Sequence, residues 1–134
     1  MNNEIVQLTK ADFNKPTAII RLTNFYRTGL EKERFALYEA TRAHWSIEKD
    51  YNITKTKIAL AVHNNKVIEV YEIAAWLPAN STMKYFRMDK GDKKRKEFVG
   101  DIARDLIRNK FIGKSVSSLF KNGDARPVAC YGIK

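Results

Sequence analysis

The sequence predicts an α+β fold, a small curved β-sheet or β-barrel flanked by two main helices. Three observations lead there. A hairpin signature occupies residues 57–76, stretches with helical spacing lie on either side of it, and the strand candidates succeed one another without regular helical crossovers.

The hairpin is the most strongly patterned stretch. Ile58, Leu60 and Val62 alternate with Ala59, Ala61 and His63; beyond the polar break at 63–66, Val67, Glu69, Tyr71 and Ile73 alternate with Ile68, Val70 and Glu72. A period of two, β-branched residues and an Asn64-Asn65 tip are what a two-stranded ribbon needs. The Ala59, Ala61, His63 face leaves room for a close neighbour, either a packed helix or a ligand.

Residues 1–16 are weakly patterned, and Pro16 ends them. Residues 17–22 form a short apolar strand candidate. Thr28 and Glu31 have capping-box spacing, which predicts a helix from there to about His44 with Leu30, Leu37, Tyr38, Thr41 and Trp45 near one face. Residues 46–56 read as a loop, and 83–88 as one further strand. A second helix is expected over 97–111, with a buried stripe of Phe98, Ile102, Leu106 and Ile107. Asp101 sits near its start, Arg104, Arg108 and Lys110 nearer its end, and Gly113 is its natural stop. Ser115 is placed to cap a short turn over 116–120, and 126–131 reads as a closing strand. One domain is expected over 1–134.

Charge sets the partner class. Lys and Arg number 25 against 15 acids, giving a net charge of +10 and a pI near 9.8. Such a field draws nucleic acid first, then anionic membrane, then acidic protein. Residues 84–96 hold seven cations (Lys84, Arg87, Lys90, Lys93, Lys94, Arg95, Lys96) against Asp89 and Asp92, half of the chain's net charge, and predict a basic loop. No apolar run approaches the ~20 residues of a membrane span, so no membrane partner is expected. One cysteine, Cys130, cannot form an internal disulfide, which favours a reducing, cytoplasmic setting.

Chemistry-bearing motifs are sparse. His44 and His63 stand without paired cysteines or carboxylates at ligand spacing, so neither metal nor other cofactor is expected. Gly113-Lys114-Ser115 imitates the end of a phosphate loop, but position 108 is Arg108 where that loop needs glycine. Aromatic and basic residues are the remaining signal. Trp45, Tyr71, Trp76, Tyr85 and Phe86 lie close in sequence to Arg42, Lys84 and Arg87; aromatic faces stack on bases while cations hold phosphates. Each of Trp45, Tyr71 and Trp76 has a competing assignment to the core. Arg42, three residues before Trp45, is placed to stack on it or to address a phosphate.

The succession from Leu37 to Arg42 with Trp45, then 58–62, then 67–73 with Trp76 and Pro78, resembles a small prokaryotic and phage domain linked to nucleases and restriction systems. Phe98 and Gly100, Ile107 and Arg108, residues 113–116, and Pro127 with Tyr131 extend the likeness over about 30–131. The group it resembles is PUA-like, with the ASCH and EVE domains among its members. The resemblance implies a small barrel with flanking helices that binds RNA or DNA, in some members holding a modified or flipped base in an aromatic pocket.

The expected function is therefore non-enzymatic nucleic-acid binding. Arg42, Trp45, Tyr71 and Trp76 would line a pocket or groove; Lys84, Arg87, Lys93, Lys94 and Arg95 would engage phosphate, with Lys114 and Arg126 flanking. Two alternatives stand beside it: an interaction or inhibitor protein binding an acidic partner, and a small nucleotide or nucleoside hydrolase using Glu39, Glu69 or Glu72.

Overall fold

The structure is a computed structural model that describes residues 5–22, 34–42, 45–46, 55–78, 95–121, 123–124 and 128–132; for 34–36, 39, 45–46 and 95–96 only the backbone is described. In chain order the elements are β1 (Thr17–Arg21), α1 (Arg34–Arg42), β2 (Trp45–Ser46), β3 (Ile58–His63), β4 (Lys66–Pro78), β5 (Arg95–Ile102), α2 (Asp105–Phe111) and β6 (Val128–Tyr131). Short 3-10 turns stand at Lys10–Asp12 and Ser117–Leu119.

The strands form one mixed sheet in the order β2-β5-β4-β3-β1-β6, with β1 and β3 parallel and the other pairs antiparallel. Its edges, β2 and β6, are not joined among the described residues. The fold is thus α+β with an open sheet, and the barrel alternative is not what the described strands form.

The hairpin stands where the alternation puts it. Asn64 and Asn65 both take positive φ, 49° and 62°, the left-handed pair of a two-residue turn that matches strand twist. Every β3 residue but His63 is buried. Ile58, Leu60 and Val62 join Leu8, Phe13, Ile19, Phe111 and Val116 on one face; Ala59 and Ala61 join Leu37, Tyr71, Ile73 and Phe98 on the other, with Tyr38 packed against them. The small alanine face is therefore the one α1 covers. A packed helix, not a ligand, explains it.

Three expectations change. Residues 97–102 belong to β5 rather than to a helix, and α2 starts only at Asp105. Phe98 is buried on the α1 face, while Leu106 is 92% exposed rather than part of a buried stripe. The weakly patterned N-terminal stretch contributes Leu8 and Phe13 to the core, and Leu8 N–H donates to the Ser115 carbonyl at 2.8 Å. Gly113 does come after α2 with φ +77°, and the Ser115 hydroxyl accepts from Ser117 N–H at 3.1 Å. The expected capping box at Thr28 and Glu31, most of the 46–56 loop, the 83–88 strand and most of the 84–96 loop lie outside the described residues. Among the described residues no helix is long and apolar enough to cross a membrane.

Candidate nucleic-acid interface

Two irregularities in β4 decide which of its residues face solvent. Ala61 pairs with Glu69 and Val62 with Val67, so Ile68 is an extra residue. Ile73 pairs with Gly100 and Ala75 with Val99, so Ala74 is a second one. A bulge bends the strand and re-aims the side chains beyond it. Ala74 and Ala75 are consequently both exposed, and Trp76 returns to the α1 face half-buried. Gly100 allows this approach: a Cβ there would collide with the Glu72 carbonyl oxygen.

The indole of Trp76 stands edge-on to Phe98, with ring centroids 5.3 Å apart and planes at 65°. Its Nε1–H donates to the Thr56 carbonyl at 3.2 Å. Strand β3 starts at Ile58 opposite Glu72, while β4 runs on to Pro78, so residues 56–57 flank the overhanging part of β4. The result is a cleft of about 250 Å³ lined by Thr56, Lys57, Ile73, Ala74, Ala75 and Trp76. Lys57 is exposed. Thr56 is wholly buried, and its Oγ1 has no hydrogen-bond partner among the described residues. An aromatic edge, small alanines and a cation make a place for a flat ring beside an anion.

Two residues expected to line a groove are core residues. Tyr71 is 1% exposed, with its ring 5.5 Å from Tyr38 and 6.2 Å from Phe98. Burial, aided by the charge of Glu69, pushes its phenol far above the ordinary range. Arg42 is 4% exposed, and its guanidinium donates to Glu97 Oε2 at 3.3 Å and to the Phe98 carbonyl at 3.2 Å. Each is occupied by the interior, so neither presents a face to a ligand. Trp45 pairs through its backbone with Lys96, and Arg95 with Ser46; their side chains are outside the described atoms. Lys114 is half-buried in the turn after α2. Lys84, Arg87, Lys93, Lys94 and Arg126 lie outside the described residues.

The electrostatics divide by residue type. Among the described residues the ion pairs join arginine to carboxylate: Arg21–Asp124 at 3.6 Å, Arg42–Glu97 at 3.3 Å, Arg104–Glu72 at 3.0 Å and Arg108–Glu69 at 2.7 Å. Lys10, Lys15, Lys55, Lys57, Lys66, Lys110, Lys114 and Lys121 take part in none of these pairs. Among the described residues the paired arginines serve the fold, and the cations outside these ion pairs are lysines. Of the carboxylates a hydrolase could use, Glu69 is tied to Arg108, and Glu72 is held below its ordinary value by the backbone N–H and guanidinium of Arg104. A general base poised near neutrality needs the opposite shift. Among the described residues no three His, Cys, Asp or Glu side chains are grouped to hold a metal.

Thr56 and Lys57 were not anticipated from the sequence. A signal existed: the spacing from Ile73 to Trp76 is three where the alternation runs by two, and a bulge is the simplest cause. Comparison with protein-family models, curated proteins and solved structures found no match.

Proposed function

We propose that the protein is a non-enzymatic nucleic-acid-binding domain that holds an unpaired base in the Trp76 cleft. The supporting observation is that cleft itself: a half-buried indole beside small residues and a lysine, on a chain of net charge +10. A base would lie against Trp76, while Lys57 takes the adjoining phosphate. Nucleic acid is also the partner implied by the resemblance to PUA-like domains.

Labelled single-stranded RNA, single-stranded DNA and modified and unmodified duplex, titrated across a salt series, test this reading. The expected result is preference for one form, with affinity for it reduced by about 1–3 kcal/mol in Trp76→Ala. Lys57→Gln should flatten the salt slope by roughly 0.7–0.9. Uniform weak binding that vanishes by about 0.2 M salt, indifferent to Trp76, would reduce the charge to generic attraction.

A further inference from the structure

A second cleft lies on the α2 face, and nothing in the nucleic-acid reading uses it. Its floor is apolar. Phe13 and Phe111 stack with centroids 5.7 Å apart and planes at 14°, and Ile58 and Ile107 lie beside them in the lining. Leu106 forms part of the wall although it is 92% exposed. Beside the half-buried Ile107 it gives the cleft an apolar lip open to solvent.

The rim is cationic. Lys15 and Lys110 both line the cleft. The Lys110 ammonium donates to Asn14 Oδ1 at 3.4 Å and lies 5.4 Å from the centroid of the Phe111 ring. Asp12 is the one carboxylate among the lining residues, and it is held in a local turn: Thr9 donates to its Oδ2 through the backbone N–H at 2.7 Å and through the hydroxyl at 3.3 Å. The two lysines outnumber it, so the lining carries a net positive charge.

Size and chemistry select the occupant. The cleft measures about 180 Å³, room for one apolar side chain. The two phenylalanine rings are buried and show no open face on which a base could stack. We propose that this cleft docks an acidic segment of a partner protein, which inserts one large apolar side chain against Leu106 and Ile107 and sets flanking carboxylates against Lys15 and Lys110. The inference is independent of the Trp76 cleft.

Random peptides displayed on phage, selected on the full chain and counter-selected on its Leu106→Asp variant, test it. The surviving peptides should share a Leu, Ile, Phe or Met anchor with Asp or Glu on both sides. A synthetic survivor, monitored by fluorescence anisotropy, should lose at least tenfold in affinity on Leu106→Asp and severalfold on Lys15→Gln/Lys110→Gln. Oligonucleotide affinity should stay within twofold in Leu106→Asp. The substituted residue is exposed, so the fold should persist, as a melting curve will check; Leu106→Ser gives an uncharged second variant. The proposal fails if no selected peptide depends on Leu106, or if the survivors lack acidic residues. It fails equally if Leu106→Asp weakens oligonucleotide binding in parallel, which would assign the cleft to nucleic acid. Dissociation of a dimer by Leu106→Asp in sedimentation would assign it to a second copy and also overturn the proposal.

Discussion

Thr56→Val should raise stability and leave binding unchanged. Thr56 is completely buried, and its hydroxyl has no hydrogen-bond partner among the described residues, so the folded protein carries a desolvated polar group. Such a group costs about 1–3 kcal/mol, and valine fills nearly the same space without it. The backbone carbonyl that accepts the Trp76 indole N–H is untouched by the change. Relief of the penalty should raise the melting temperature, at roughly 2–8 °C per kcal/mol for domains near this size. The hydroxyl is closed off from the cleft, so oligonucleotide affinity should not change. Thermal denaturation and an oligonucleotide titration on the same preparation read both effects. A lower melting temperature would mean that the hydroxyl is engaged within the protein, and the reasoning would fall.

The geometry makes three further outcomes testable. Arg42→Met removes one partner of a buried 3.3 Å ion pair and should cost about 3–5 kcal/mol in urea unfolding, much of it recovered when Glu97→Leu is added; a change below about 1 kcal/mol would deny the pair its place in the core. Gly100→Ala would set a methyl group against the Glu72 carbonyl oxygen and should destabilise by about 1–3 kcal/mol, whereas a neutral effect would show that the bulge relaxes freely. Glu72 titrates below its ordinary 4.5 because Arg104 hydrogen-bonds its charged form. Its contribution is therefore full above 4.5 and is lost as pH falls through the depressed value. A series of melts carried down through the carboxylate range should show wild type and Glu72→Gln converging as the acid limb is descended, and a constant gap would exclude this linkage.

Much of the sheet was legible because its signals were local. The alternation in 58–63 and the Asn64-Asn65 tip need no tertiary information, and residues 17–21 and 128–131 form the short strands their apolar runs suggest. Strand β5 was misread for a physical reason. Phe98 and Ile102 are four residues apart, a spacing that returns to one face in a helix and also in a strand. Gly100 between them argues against a helix interior, and its purpose shows only once β4 bulges towards it. Leu8 and Phe13 belong to an irregular segment, where no period announces burial. The site divides along the same line. A basic chain with aromatic residues was visible from composition, but the interior claims Arg42 and Tyr71 through long-range partners, Glu97 and Phe98. Thr56 and Lys57 reach Trp76 only because β4 outruns β3.

The most direct test of the account uses the fact that the chain has two tryptophans. Trp45→Phe leaves Trp76 as the single indole, and its fluorescence can be recorded while single-stranded RNA or DNA is added to the variant, with circular dichroism confirming the fold. A base stacked on Trp76 should quench the emission saturably, along the same curve as binding measured by anisotropy. Binding that leaves the Trp76 emission unchanged would contradict the placement of the nucleic acid in this cleft, and no binding to any strand at physiological salt would contradict the function itself.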